Sequence, residues 1–169
     1  MKVLTLFIAL LLALPAAAAE TSPPQQGGTG LPLPRFVSTR SAQVNVRTGP
    51  GERYPVQWVL KKQGMPVEIT AEYENWRKIR DWEGTEGWVH MALLSGRRSV
   101  VIYPDDGVLR NSPDAIARPL ARLQKGVLAQ IKQCSADWCK VILGSAATDT
   151  SGWVSKSSLW GVYPDEKIE

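Results

Sequence analysis

The chain has 169 residues, with 20 basic and 16 acidic side chains, one histidine and two cysteines. This charge balance contains no lysine or arginine cluster of the kind that nucleic-acid-binding proteins use. One histidine and two cysteines cannot supply the four ligands of a structural zinc site. We therefore expect no nucleic-acid partner, no metal and no cofactor.

The N-terminal segment has the order of a secretory signal peptide. Lys2 precedes an apolar run over residues 3–14, and small residues follow it. The run is shorter than the roughly 20 residues of a membrane-spanning helix, which disfavours the alternative of a membrane anchor. We predict that residues 1–19 are cleaved, which leaves a periplasmic or secreted chain with no stable membrane insertion.

Residues 20–36 begin with a stretch rich in proline, glycine, glutamine, serine and threonine. Such a composition has little apolar surface to bury, so it favours a flexible linker over a folded segment. The sequence predicts that order begins at the end of this linker, near Phe36 or Val37.

Beyond the linker the sequence repeats itself. Three motifs recur in the same order, VNVRTGP (44–50) with GVLRNSP (107–113), WRKI (76–79) with WCKV (138–141), and GWV (87–89) with GWV (152–154). The repeating unit of about 60 residues is longer than the units of solenoid proteins. Each copy is therefore predicted to be a small domain with its own core, the first over 37–97 and the second over 98–169.

Each copy is predicted to consist of short strands joined by turns. In the first copy the strands cover residues 43–47, 56–60, 66–71, 76–79 and 87–90. This spacing is typical of a small barrel or sandwich. In the second copy Pro119 interrupts residues 115–124, for which we predict no regular structure.

The motifs resemble the bacterial SH3-like domain family in their order and spacing. The second copy resembles it less closely, because Ser112 stands where the turn of the family has glycine. The resemblance covers about residues 40–161 and implies an all-β protein of two half-open SH3-like barrels in tandem, each with five or six strands. It also implies a binding role, since such domains bind peptidoglycan, peptides or partner proteins outside the cytoplasm.

Aromatic side chains are the candidate ligand contacts. Arg53 and Tyr54 follow the first turn motif, where the family often places such contacts. Trp76 and Trp138 begin equivalent strands, and their amphipathic rings could stack on a ligand or pack at the edge of the core. Trp82 lies in a polar loop, where it could contact a ligand or pack against the second copy.

Two further equivalent pairs are expected to be structural. Trp88 and Trp153 each stand between glycine and valine, and we predict that the glycine leaves room for the ring in the core. Arg47 and Arg110 each end an apolar strand. An arginine in that setting usually lays its stem on the core and reaches a carboxylate or carbonyl, rather than binding an anionic ligand.

Cys134 and Cys139 lie in the part of the chain predicted to be exported, and we predict that they form a local structural disulfide. Alignment of the copies places Glu72 and Arg77 at the same positions, facing each other across a hairpin. We expect this ion pair to be exposed and to contribute about 0–1 kcal/mol. The only histidine, His90, is in the other copy, so the sequence indicates no cysteine–histidine pair for nucleophilic catalysis.

These features predict a non-catalytic binding module of the bacterial envelope, with peptidoglycan, a wall peptide or an envelope protein as its target. The alternative is a structural or assembly protein whose two domains mediate self-association, as a homodimer, or docking to one envelope protein. The sequence does not identify the ligand, because small β-barrels carry many unrelated functions.

Overall fold

The computed structural model describes residues 28–144 and 150–169. The predicted signal peptide and the first part of the predicted linker lie outside these residues. Across the described residues, no helix combines the length and the apolar character that crossing a membrane requires.

The first domain is a single antiparallel sheet. Its strands are β1 (Arg35–Thr39), β2 (Val44–Arg47), β3 (Val56–Leu60), β4 (Pro66–Tyr73), β5 (Trp76–Arg80), β6 (Glu86–His90) and β7 (Leu94–Ser95). They lie in the order β3-β2-β6-β5-β4-β1-β7. A 3-10 turn over Met91–Leu93 joins the last two strands.

The second domain repeats this arrangement strand for strand. Its strands are β8 (Ser99–Ile102), β9 (Gly107–Arg110), β10 (Pro119–Leu123), β11 (Leu128–Ser135), β12 (Trp138–Leu143), β13 (Thr150–Ser155) and β14 (Leu159–Trp160). Their order is β10-β9-β13-β12-β11-β8-β14, and a 3-10 turn over Lys156–Ser158 precedes β14. The predicted all-β architecture of two equivalent copies is confirmed.

Three details differ from the sequence prediction. Each sheet has seven strands instead of five or six, because a two-residue strand closes each unit beside its first strand. Strand β1 begins at Arg35, inside the segment predicted as linker, and Phe36 is buried. Strand β10 forms where no regular structure was expected, because Pro119 is the first residue of an edge strand, a position that tolerates proline.

Each domain has its own hydrophobic core. The first core contains Val44, Val46, Val67, Ile69, Ile79, Val89 and Leu94. The second contains Val100, Ile102, Leu109, Leu123, Ala129, Cys134, Cys139, Val141, Val154, Leu159 and Val162. Burial alternates along the strands, so each sheet has an inner side facing its core and an outer side.

The hairpin register predicted from the repeat is confirmed. Glu72 faces Arg77 between β4 and β5, and Cys134 faces Cys139 between β11 and β12. The two cysteines form a disulfide, with their Cα atoms 4.1 Å apart. The expectation of an exposed ion pair is wrong, because Glu72 and Arg77 are each only 3% exposed on the inner side of the sheet.

The buried carboxylate of Glu72 also holds the chain that precedes β1. The backbone N–H of Thr29 donates to Glu72 Oε2 at 2.5 Å, and the Thr29 hydroxyl donates to Oε1 at 3.0 Å. Arg35 and Arg77 add two guanidinium contacts, the second at 3.1 Å. Burial raises the pKa of Glu72, but the hydrogen bonds from Arg35 and Thr29 bring it below its usual value.

The two domains are in direct contact. The ring of Phe36 packs against Trp160 and Tyr163, with centroid distances of 5.0 and 4.7 Å. The Tyr163 hydroxyl donates to Glu68 Oε1 at 2.8 Å, and Arg80 Nε donates to the other carboxylate oxygen at 2.9 Å. This aromatic and charged contact fixes one domain against the other.

Candidate functional site

The outer side of the first sheet carries a row of aromatic and cationic side chains. On β5 and β6, Ile79 and Val89 point into the core, so Trp76, Lys78 and Trp88 point outward and are partly exposed. Lys78 lies opposite Trp88, and Trp76 is the diagonal neighbour of Trp88, within reach of an aromatic ring. We call Trp76, Lys78 and Trp88 the first tryptophan face.

The second sheet carries the same row. Trp138 and Lys140 lie on β12, and Trp153 lies on β13 opposite Lys140, all three partly exposed. We call Trp138, Lys140 and Trp153 the second tryptophan face. The predicted candidates Trp76 and Trp138 are thus each brought beside a second tryptophan that sequence reasoning had assigned to the core.

The prediction that Trp88 and Trp153 are core residues is wrong. The glycine before each of them faces the core instead, and its missing side chain leaves room for the neighbouring strand. A Cβ on Gly87 would lie 2.5 Å from Val46 Cγ1, and one on Gly152 would lie 2.7 Å from the Arg110 carbonyl oxygen. The close contact on the inner side turns each tryptophan outward.

Charge is arranged differently on the two faces. In the first, Lys78 Nζ lies 2.6 Å from Glu86 Oε2, and this contact lowers the pKa of Glu86. Ser151 stands at the position of Glu86 in the second domain, opposite Ile142. Lys140 has no carboxylate partner within residues 28–144 and 150–169.

One arginine connects each face to a loop. Arg47 lies opposite Trp88 in the sheet and donates to the Tyr54 carbonyl oxygen at 2.8 Å and to that of Glu52 at 3.0 Å. Arg110, opposite Trp153, donates to the carbonyl oxygen of Ala117 at 2.7 Å. These carbonyl contacts are the structural role expected for both arginines.

The predicted contacts Arg53 and Tyr54 form a packed unit on the first of these loops. The Tyr54 ring lies so close to Gly49 that a Cβ there would be 2.4 Å from it. The Arg53 guanidinium lies over the ring, 5.1 Å from its centroid, and is exposed to solvent. Because Arg47 joins this loop to Trp88, Tyr54 and Arg53 border the first tryptophan face.

Trp82 packs against the second domain, which is one of the two roles that the sequence left open for it. Its ring packs edge-on against Tyr103 of the second domain, with centroids 5.8 Å apart. It also lies near Gly126, where a Cβ would be 4.0 Å from the indole. Trp82 therefore adds to the contact between the domains, and a ligand role for it stays a prediction.

The potentially reactive side chains have structural contacts. His90 packs edge-on against Trp76 at 5.4 Å, and its Nδ1 accepts the Ala92 N–H at 3.3 Å. Both cysteines are in the disulfide. Over the described ranges, no three acidic, histidine or cysteine side chains are close enough together to hold a metal ion.

Comparison with known proteins identifies the repeated unit. The family model described as "Bacterial SH3 domain" matches residues 40–96 and again residues 104–161, more than half of the chain. No curated protein matches the sequence. A solved structure, NlpC2 from Trichomonas vaginalis, is 9% identical over 75% of this chain, with a TM-score of 0.34. The match spans about half (48%) of that chain. Each family match covers the last six of the seven strands of one sheet, β2–β7 in the first and β9–β14 in the second. The chain therefore belongs to the bacterial SH3 domain family, with two such domains in tandem.

Proposed function

We propose that this protein is a non-catalytic binding module of the bacterial envelope that holds peptidoglycan on its two tryptophan faces. The observation that carries the proposal is the presence of the same outward row of two tryptophans and a lysine on both sheets. Bacterial SH3 domains are commonly binding modules and are typically extracytoplasmic, which agrees with this role.

The side-chain chemistry of the faces suits a cell-wall polymer. An indole presents a large apolar surface with one polar N–H, so it can stack on the apolar side of a sugar ring while its edge stays solvated. In the second face, Lys140 supplies a cation for the carboxylates that wall peptides carry, whereas Lys78 of the first face is paired with Glu86. Neither feature is needed by the cores, which valine, isoleucine and leucine fill from the other side of the sheet.

Because one chain carries two faces, we expect tight binding to come from both faces engaging the same ligand, rather than from high affinity at one face. The contact of Phe36 with Trp160 and Tyr163 fixes the spacing of the domains, so a second binding event follows the first within one molecule. Linked sites of this kind can gain a factor of about 10² to 10⁴ in apparent affinity, provided the ligand spans both. A repetitive polymer meets that condition.

The test is retention of the protein, lacking residues 1–19, by purified peptidoglycan sacculi. We expect Trp88→Ala and Trp153→Ala each to reduce retention, because weakening one face removes the avidity. The double variant should reduce retention further, because each single variant keeps one intact face. Leu31→Ala is the matched control, since it removes an apolar side chain that is 56% exposed in the segment before β1 and belongs to neither face. Retention no greater than that of an unrelated periplasmic protein would refute the proposal.

A second candidate is self-association through an edge of the second sheet. Strand β10 ends that sheet with its hydrogen-bonding groups open on one side, and the exposed side chains Leu120 and Ile116 lie on it and beside it. Light scattering coupled to size exclusion separates the candidates. A stable dimer that Leu120→Lys converts to a monomer would favour self-association, and a monomer at all concentrations would favour the wall-binding module.

A further inference from the structure

A cleft of about 640 Å³ lies where the end of the first domain meets the second. The first domain lines it with the ends of β1 and β7 and the turn before β4, and the second lines it with β8 and β11. None of the side chains of the tryptophan faces lines it, so the cleft is a separate part of the molecule. Because both domains contribute residues to its lining, neither domain alone would form this cleft.

The lining of this cleft is cationic. It includes Arg40, Arg97 and Arg98 and no acidic residue. Arg98 is already engaged, since it pairs with Glu166 and donates to the Gly161 carbonyl oxygen at 2.8 Å. Arg40 and Arg97 are exposed, and neither forms an ion pair within the described part of the chain.

Most other polar groups at the cleft are used by the fold. The Ser99 hydroxyl donates to the Gly64 carbonyl oxygen at 2.6 Å, which ties the two domains together at the cleft. The Thr39 hydroxyl donates to the Lys62 carbonyl oxygen at 2.8 Å. The groups that remain for a ligand are therefore chiefly the two free guanidinium groups.

The remaining lining adds an amide and an apolar wall. Gln63 donates from Nε2 to the Arg40 carbonyl oxygen at 2.8 Å, which keeps it beside that arginine, and Gln130 is exposed on β11. Leu128 and Ile131 are partly buried at the cleft, and a Cβ at Gly64 would lie 3.7 Å from Leu128 Cδ2. The cleft thus combines amides, apolar surface and two cations that have no ion-pair partner among the described residues.

We propose that this cleft binds an oxyanion-bearing ligand, with its carboxylate or phosphate group at Arg40 and Arg97 and its apolar part on Leu128 and Ile131. The guanidinium group has a planar fork of donors that matches both oxyanions, and charge-assisted hydrogen bonds of this type are the strong ones. Two like charges in a concave surface with no compensating carboxylate also attract an anion at longer range.

Isothermal titration calorimetry on the chain lacking residues 1–19, at low salt, tests the site with three probes. They are a short apolar peptide with a free C-terminal carboxylate, the same peptide amidated, and inorganic phosphate. The free carboxylate should bind and the amide should not. Arg97→Ala and Arg40→Ala should each weaken binding about tenfold, the loss expected for one charge-assisted contact.

The matched control is Arg122→Ala, which removes the same charge from an exposed position on β10 outside the cleft. Its binding of the peptide should equal that of the unmodified chain. If phosphate bound and the peptide did not, the result would support an oxyanion site at Arg40 and Arg97 and would identify its ligand group as phosphate. Failure of both anions to bind, or equal weakening by Arg122→Ala and Arg97→Ala, would overturn the proposal, and neither result bears on retention by sacculi.

Discussion

Replacement of Glu72 by alanine should destabilise the first domain far more than a surface ion pair would. Glu72 is 3% exposed, and its carboxylate accepts hydrogen bonds from Thr29 and contacts the guanidinium groups of Arg35 and Arg77. Arg77 is itself almost fully buried, so the variant leaves a buried cation without its anion. Breaking a buried pair in this way costs about 3–5 kcal/mol.

The lower end of that range applies to Glu72→Ala. Arg77 keeps two hydrogen bonds, to the carbonyl oxygens of Glu74 and Trp76, each at 2.8 Å. We therefore expect the free energy of unfolding to fall by about 3 kcal/mol, measured by urea denaturation with tryptophan fluorescence. Hydrogen exchange at the Thr29 amide should accelerate in the same variant, because its acceptor is gone.

The control is Glu86→Ala. Glu86 also pairs with a basic residue, Lys78, but the two side chains are 44% and 39% exposed. Its loss should cost less than about 1 kcal/mol. If Glu72→Ala lost no more stability than Glu86→Ala, the assignment of Glu72 as the anchor of the N-terminal segment would be wrong.

Three further outcomes follow from particular contacts. Reduction of the Cys134–Cys139 disulfide should lower the free energy of unfolding in urea by less than about 3 kcal/mol, because the disulfide closes a very short loop. Gly152→Ala should lower the free energy of unfolding by about 1–3 kcal/mol in the same assay, since its Cβ would lie 2.7 Å from a carbonyl oxygen of β9. Burial raises the pKa of Glu166, but hydrogen bonds, chiefly from Arg98, hold that pKa below the usual 4.5. The ionised carboxylate therefore contributes fully to the stability of the fold above pH 4.5, and this contribution is lost as the pH falls below that value. The stability difference between the unmodified chain and Glu166→Gln, followed by thermal unfolding, should therefore shrink below pH 4.5.

The hairpin register could be predicted from the sequence because it is local. A tight turn of fixed length joins the two strands, so the positions that face each other follow from counting outward from the turn. Alignment of the repeats placed Glu72 and Arg77 at the positions of Cys134 and Cys139, and both pairs face each other as predicted. The sequence could not show that the ion pair is buried, because Thr29 and Arg35 reach Glu72 from 43 and 37 residues away.

The tryptophan faces were missed for a different reason. Trp88 and Val89 are adjacent and both apolar, so hydrophobicity alone does not decide which of them faces the core. Gly87 decides it, because its inner side touches the backbone of β2 at Arg47 and only a residue without a side chain fits there. Alternation then directs Val89 inward and Trp88 outward. The signal in the sequence was Gly87. It makes room for the backbone of β2, and not for the ring of Trp88 as is expected from the sequence.

The β4–β5 and β11–β12 hairpins differ on their inner side because they contact different segments of the chain. The first contacts the segment before β1, and the second contacts the segment after β14. In the first, the incoming segment presents the Thr29 N–H and hydroxyl, which need an acceptor, and the Glu72 carboxylate supplies it. In the second, the C-terminal segment pairs main chain to main chain, with Ile168 and Cys134 exchanging hydrogen bonds of 2.7 and 3.0 Å. A main-chain pair leaves the side chain of residue 134 free, so a disulfide can occupy that position.

The outer side of the same hairpins has not diverged in this way. Tryptophan begins the second strand of each hairpin and lysine follows two residues later, although the inner residue between them is arginine in one copy and cysteine in the other. Packing explains the difference between the inner residues, because Arg77 pairs with Glu72 and Cys139 is bonded to Cys134. Packing does not explain why a large, partly exposed aromatic ring and a cation stand at the same outer positions of both sheets. The proposed wall ligand would account for both, and the paired Trp88→Ala and Trp153→Ala variants test that proposal.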